Sequence, residues 1–284
     1  MVCCLMLLGS GLEALAQSKL YSNQFDLDEV ALLEGPMKDG RDLNIEVLLL
    51  YDVDRLLAPF RIQAGLEPKS DPYANWAGLD GHVGGHYLSA MAMNYAATGN
   101  TECKSRMDYM IAELDTIQQA NAINNPSWGV GYLGGMPGSE KVWTNLKKGD
   151  LSAYKQTWAP WYNLHKMYAG LRDAWLYADD NLAKKLFLNY SDWGIMITAD
   201  LDAIQMEKML DEEYGGMNEV YADAFVISND IKYLEAAKHF SHKKLLNPLA
   251  KGEDILDNMH ANTQVPKFVG FARIAELSRS QTSE

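Results

Sequence analysis

Two carboxylates flank a glycine pair in the stretch Glu213-Tyr-Gly-Gly-Met-Asn-Glu219. A pair of Asp or Glu side chains is the residue set that hydrolysis of a glycosidic bond uses, one as acid and one as nucleophile or base. Acidic side chains at a helix start also complement the helix dipole, which is a purely structural role. Both interpretations stay open, and Glu219 is the catalytic candidate that we carry forward.

Two histidines, His82 and His86, lie four residues apart in a segment that also contains four glycines. Histidines with this spacing on one helix face can bind a metal ion. However, His82 sits in a glycine-rich turn, so we expect that face not to be preserved. Glycines also let a ligand approach the backbone closely, which suits imidazoles that bond sugar hydroxyls. A helix-capping or core role is the third interpretation.

A cluster of aromatic residues precedes a further histidine in the stretch 158–166, Trp-Ala-Pro-Trp-Tyr-Asn-Leu-His-Lys. Its proline is placed to start a helix. Trp161 offers a flat face on which a sugar ring can stack, and His165 offers a polar tip beside it. The alternative is that these aromatic rings are simply part of the hydrophobic core.

Polar side chains also crowd other predicted helix ends. His260 and Gln264 lie in His-Ala-Asn-Thr-Gln-Val-Pro-Lys at the start of the last helix, where Asn or Thr could act as caps. Gln63 lies at a helix end beside another glycine-rich loop. Ends of alternate helices in an antiparallel arrangement share one face, so we expect these residues to converge on one cavity with the histidines and Glu219.

Apolar residues at spacings of three and four predict helices along most of the chain from about residue 40. The connectors at 97–100, 177–181 and 227–230 are short and polar, which predicts antiparallel helical hairpins. We therefore predict an all-α fold of the (α/α)6 toroid type. About eight helices are predicted where a full ring needs about twelve, so the ring is expected to be incomplete.

Three departures from the helical pattern are predicted. A weak alternation over residues 26–33 is compatible with a short strand. The connections 63–86 and 124–158 are long and rich in glycine and aromatic residues, which is typical of binding loops. The predicted organisation is a signal peptide at 1–16, an N-terminal extension at 17–40 and a partial barrel domain at 41–284.

Composition excludes several classes of partner. The chain has 284 residues and a formal net charge of -13, which argues against nucleic acid or an anionic membrane as the main partner. No stretch approaches the length of a membrane span. The apolar run and A-x-A site within residues 1–16 predict secretion or periplasmic export. Only Cys103 remains after that cleavage, so no internal disulfide is possible, and a buried thiol is expected.

The stretches 78–90, 162–166, 213–219 and 260–267, read together, resemble glycoside hydrolase families 127 and 146, the β-L-arabinofuranosidases. The resemblance covers about residues 25–278. It implies an (α/α)6 toroid that removes terminal β-L-arabinofuranosyl groups from plant glycans, with an arabinose-containing oligosaccharide as partner. It also implies that Gln63, one or both of His82 and His86, His165 and His260 contact the sugar.

The resemblance further implies a Cys thiolate nucleophile held on zinc by additional Cys and Glu ligands, with a separate Glu as acid/base. These groups are expected downstream of the motif at 260–267, and Cys103 is not at their position. The chain is therefore expected to be the front part of the catalytic domain, with no metal ligand of its own. Two alternatives stay open: a toroidal sugar epimerase or isomerase in which paired histidines move protons, and a non-catalytic sugar-binding protein.

Overall fold

The structure is a computed structural model that describes residues 25–74 and 78–281. Within these residues the fold is all-α, as predicted. A 3₁₀ turn, Leu27–Glu29, comes first. Thirteen α-helices follow: α1 (Pro36–Leu49), α2 (Val53–Gln63), α3 (His82–Thr98), α4 (Thr101–Asn124), α5 (Ser139–Leu146), α6 (Ser152–Lys155), α7 (Pro160–Ala178), α8 (Asn181–Thr198), α9 (Ala203–Leu210), α10 (Met217–Ser228), α11 (Ile231–His239), α12 (Lys243–Ala250) and α13 (Ala261–Gln281).

Three helical hairpins, α3–α4, α7–α8 and α10–α11, use the same two-residue turn. The first helix of each hairpin is followed by a residue in the left-handed region, namely Gly99 at φ 69°, Asp179 at φ 53° and Asn229 at φ 57°. The next residue is a side-chain N-cap for the second helix in every case, as in the bonds from the backbone of Glu102 and Cys103 to Asn100. These short turns confirm the predicted antiparallel hairpins.

The first helices of the hairpins form an inner row with α13. Arg172 of α7 contacts Asp223 of α10, and Arg273 of α13 contacts the same carboxylate. A second contact lies nearer the start of α10, where the Asn218 amide donates to the Lys267 carbonyl oxygen. The two contacts between α10 and α13 advance along both helices in the same direction, so these inner helices are parallel. The inner helices therefore begin at the same end of the molecule.

The second helices form an outer row that runs the opposite way, and α2 belongs to it. Arg61 of α2 pairs with Glu113 of α4, and the Gln118 amide of α4 donates to the Leu186 carbonyl oxygen of α8. An inner row covered by an antiparallel outer row is a toroid-like (α/α) arrangement. No helix in 25–74 or 78–281 is long and apolar enough to cross a membrane.

Helices α3 and α7 touch through their backbones at two glycines. A Cβ placed on Gly85 would lie 2.1 Å from the carbonyl carbon of Lys166, and one on Gly170 would lie 2.7 Å from the Gly85 carbonyl oxygen. Only glycine permits this approach. The close contact brings the side chains that flank these glycines to the same end of both helices.

The structure corrects three sequence-based expectations. Residues 26–33 contain a 3₁₀ turn and no strand, since Asp26 and Glu29 form a capping box. Thirteen α-helices are present where about eight were predicted, partly because the short helices α5, α6, α9 and α12 lie inside connections. The connection 124–158 also differs from what its composition suggested, because most of its aromatic rings, including Trp128, Tyr132 and Trp143, are buried in the core.

Candidate active site

The inner-row N-termini bring histidines, a tyrosine, a lysine and carboxylates together. A Cβ on Gly216 would lie 2.9 Å from Nε2 of His165 and 3.0 Å from Oε2 of Glu219, so both groups converge on this glycine. Glycine at 215 and 216 lets the α10 entry pass directly over the imidazole of His165. The site is therefore built where α3, α7 and α10 begin.

The histidine pair of α3 borders this cluster. His82 is the first residue of α3 and is almost buried, and its Nδ1 lies 2.6 Å from the Leu79 carbonyl oxygen. Its ring is 6.1 Å from the ring of His86, edge to face, and 6.5 Å from the ring of Tyr162. Because α3 begins at His82, both histidines lie on the same helix. The expectation that the glycine-rich turn would separate them from a shared helix is therefore wrong.

Lys166 connects the histidine and aromatic parts of the cluster. Its ammonium lies 4.2 Å from the centre of the Tyr162 ring and 3.4 Å from Nδ1 of His165. Burial lowers the pKa of Lys166, while the charges of Glu213 and Glu219 oppose that shift. The cation is thus held among an aromatic face, an imidazole and two carboxylates.

Glu219 is itself held by an arginine. Arg172 Nη1 lies 3.6 Å from a Glu219 oxygen and 2.9 Å from a carboxylate oxygen of Asp223, which is fully buried. The Glu219 side chain is 20% exposed, so one side of it is open to a ligand while the other is fixed. This carboxylate is positioned rather than mobile.

The imidazoles of His165 and His86 are held neutral near pH 7. Burial, and then the charges of Lys166 and Arg172, bring the pKa of His165 well below 6.5. Burial also lowers the pKa of His86, with Lys166 adding to the effect. Neutral imidazoles each offer one donor and one acceptor, which suits the hydroxyl groups of an uncharged ligand.

Comparison with known proteins is decisive for the family. A family model described as "Beta-L-arabinofuranosidase, GH127 catalytic domain" matches residues 29–284. The chain belongs to glycoside hydrolase family 127. No curated protein matches the chain. The resemblance to family 127 inferred from the four motifs is confirmed, and family membership makes the chain a glycosidase of the β-L-arabinofuranosidase type with a glycan as substrate.

The remaining predicted site residues of this family 127 chain lie at the same end of the helices. Gln63 ends α2, which runs antiparallel to α3, and its carbonyl oxygen accepts a bond from the Asn125 amide. His260 immediately precedes α13 and is exposed. Gln264 follows in the first turn, and its buried Oε1 has no hydrogen-bond partner within the described part of the chain. The predicted contacts of these three residues with sugar stay predictions.

Trp161 requires a correction. Its ring is fully buried, and its Nε1–H donates to the Met209 sulfur at 3.1 Å. The rings of Trp143, Trp193 and Phe240 surround it at centroid distances of 5.2, 5.6 and 5.1 Å. A ring enclosed on all sides cannot stack on a sugar, so the core interpretation that the sequence left open is the correct one.

The described residues do not fit the zinc-thiolate centre that the resemblance implies. No group of three or more His, Cys, Asp or Glu residues suitable for a metal occurs in the described ranges. Cys103 is fully buried in α4, and burial raises the pKa of its thiol. It lies beside the turn of the α3–α4 hairpin, and this turn is roughly 20 Å from His86 along the axis of α3. We assign no step of the reaction to a metal held by these residues.

A second buried basic pair, which sequence analysis missed, supports the start of α13. Lys267 is fully buried; its Nζ donates to the Leu210 carbonyl oxygen at 3.0 Å and lies 3.1 Å from Nδ1 of His242. Burial lowers the pKa of Lys267 to about 8 and the pKa of His242 to about 4. His242 did not stand out in the sequence because a lone His carries no spacing pattern, and Lys267 appeared only as the last residue of the motif at 260–267.

The depressed pKa of His242 predicts acid sensitivity. The unfolded chain binds a proton near pH 6.5 while the folded chain resists it down to about 4, so stability is lost as the pH falls through this window. We expect the free energy of unfolding to drop by about 3 kcal/mol between pH 7 and 4 from this group. Urea unfolding at several pH values would measure it. His242→Gln should flatten that dependence, and an unchanged slope would contradict the assignment; His260→Gln, at an exposed site, is the control.

Proposed function

We propose that the cluster at the start of α3, α7 and α10 binds a terminal β-L-arabinofuranosyl group of a plant glycan, which the enzyme releases by hydrolysis. The observation that supports this most directly is the convergence of His165 Nε2 and Glu219 Oε2 on the backbone of Gly216. Neutral imidazoles and a fixed carboxylate supply both donors and acceptors to the hydroxyls of one small sugar ring. Export of the chain, predicted from residues 1–16, would bring it to extracellular glycans.

The chemistry of the site supports an uncharged ligand. Lys166 and Arg172 are the cations of the cluster, and both are matched by the carboxylates of Glu213, Glu219 and Asp223. An anionic ligand would have to displace one of these carboxylates, and a cationic one would meet Lys166. An uncharged furanose neither displaces a carboxylate nor is repelled by Lys166, since its hydroxyls replace water in the hydrogen bonds.

The proposed activity is tested by release of the aryl group from an aryl β-L-arabinofuranoside, with the α-L-arabinofuranoside and β-D-galactoside as comparisons. We expect turnover, where it occurs, to be confined to the β-L-arabinofuranoside. Binding of methyl β-L-arabinofuranoside by calorimetry is measured on the same preparation. Binding without turnover would favour the sugar-binding alternative, isomerised free sugar would favour the epimerase alternative, and absence of both binding and turnover would contradict the proposal.

Replacing His165 is expected to weaken the sugar complex. His165→Ala removes one neutral donor, so the dissociation constant for methyl β-L-arabinofuranoside should rise about tenfold. Calorimetric titration measures this, and circular dichroism checks the fold. His239→Ala, on the outer helix α11, is the matched control and should bind like the unsubstituted protein. Equal affinity of the His165 variant would place the sugar elsewhere.

A further inference from the structure

His165 presents its two ring nitrogens to chemically opposite neighbours. Nδ1 lies 3.4 Å from the Lys166 side-chain nitrogen. Nε2 lies against Gly216, where a Cβ would be 2.9 Å from Nε2 and 3.0 Å from the Glu219 carboxylate. One nitrogen therefore meets a hydrogen-bond donor, and the other lies on the side of an acceptor.

An ammonium group has three donors and no acceptor, and a carboxylate has only acceptors. A neutral imidazole must carry its single proton on one nitrogen, and the bond made by the other nitrogen decides which. The proton on Nδ1 would oppose the donor Lys166, whereas a proton on Nε2 leaves Nδ1 free to accept from Lys166. We infer that Lys166 is a positioning residue that fixes His165 as the Nε2–H tautomer, so that His165 acts in the site as a hydrogen-bond donor.

Other charges around the ring agree with this assignment. Arg172, which faces His165 from the same helix, binds Glu219 and so keeps the acceptor near Gly216. His86 on α3 also lies within electrostatic reach of His165. Lys166 cannot turn away easily, because its ammonium rests on the Tyr162 ring at 4.2 Å. The Tyr162 ring thus helps to hold the Lys166 ammonium beside Nδ1 of His165.

The inference deepens the proposed function and rests on it only for the identity of the ligand. With Nε2 protonated, His165 donates to a sugar oxygen and does not accept a proton from carbon or hydroxyl at that nitrogen. The paired-histidine isomerase considered from the sequence would need the reverse, an unprotonated nitrogen facing the ligand. Lys166 therefore selects the binding role of His165 over a basic one.

The tautomer can be read directly from long-range ¹H–¹⁵N correlation spectra of the full chain labelled with ¹⁵N-histidine. The chain has 6 histidines, and loss of signals in His165→Gln assigns the relevant ring. At pH 7 we expect an unprotonated Nδ1 and a protonated Nε2 for His165. A protonated Nδ1 in the unsubstituted protein would overturn the inference whether or not any variant folds.

Variants then test the role of the lysine. Lys166→Met keeps the length of the side chain without its donors, and we expect His165 to lose its single tautomer and to populate Nδ1–H. Lys166→Arg keeps donors and should restore the Nε2–H form. Lys155→Met, at an exposed position, is the control. An unchanged tautomer in a folded Lys166→Met protein would show that Lys166 does not act on His165.

Binding separates this inference from the proposed function. Titration with methyl β-L-arabinofuranoside should give about a tenfold higher dissociation constant for Lys166→Met, and near-normal affinity for Lys166→Arg. The expected tautomer without any sugar binding would leave the inference standing and contradict the proposed ligand. Sugar binding with the opposite tautomer would do the reverse.

Discussion

Gly85→Ala is expected to destabilise the protein by about 3 kcal/mol and to separate the residues of the site. The added methyl group would lie 2.1 Å from the carbonyl carbon of Lys166 and 2.4 Å from the Met167 amide nitrogen. Both are backbone atoms of α7, so relief requires α3 and α7 to move apart as whole helices. Urea unfolding followed by circular dichroism measures the loss of stability.

The neighbouring glycine provides a matched control. A Cβ on Gly84 would meet only the side-chain ends of Phe60, Met110 and Met167, at 3.4–3.7 Å, which is ordinary contact. Gly84→Ala should change stability by no more than about 1 kcal/mol, because alanine also favours the helix. The two substitutions are adjacent and chemically identical. Equal effects would show that the backbone contact between α3 and α7 does not hold the site together.

Asp223→Ala is expected to cost about 3–5 kcal/mol of unfolding free energy. Asp223 is fully buried between Arg172 at 2.9 Å and Arg273 at 3.3 Å, and so joins α7, α10 and α13. Its removal leaves two partly buried guanidinium groups without their shared carboxylate. Arg172 would then be drawn toward Glu219, so sugar affinity should change together with stability.

Two comparisons test this explanation. Asp108→Ala, which removes an exposed pair with Lys104, should cost no more than about 0.5 kcal/mol. Replacing Arg273 with Met in the Asp223→Ala background should recover part of the lost stability, since it removes a buried guanidinium whose remaining ion pair is with the exposed Glu276. If the Arg273→Met substitution lowers stability in the Asp223→Ala background as much as it does in the unsubstituted protein, loss of the shared carboxylate partner is not the cause.

Sequence patterns predicted the scaffold well because the responsible forces are local. Asn100, Asp180 and Asp230 each cap a helix directly after a left-handed residue, so the hairpins could be inferred from three short segments. The short helices α9 and α12 were missed, as they contain only eight residues each and their few apolar positions merge with neighbouring patterns.

The site was predicted in part, and the limits have a physical cause. His82 and His86 stood out because their motif combines histidine with four glycines, His165 because it follows an aromatic cluster, and Glu219 because it follows a glycine pair. Lys166 and Arg172 could not, since their roles depend on contacts with residues from other helices. Trp161 was misjudged because an aromatic residue at a helix start has the same sequence pattern whether it faces a ligand or a core.

The three two-residue turns all lie at the end of the helices away from the histidines. A turn this short with a left-handed residue cannot be lengthened without shifting one helix against its partner. The connections at the opposite end, which lead from each outer helix into the next inner helix, are long and include α5, α6, α9 and α12. Insertions and exchanges at the exposed positions of these connections leave helix register untouched. The rim proposed to meet a glycan can thus diverge in sequence and change the sugars it accepts, while the scaffold below it is kept.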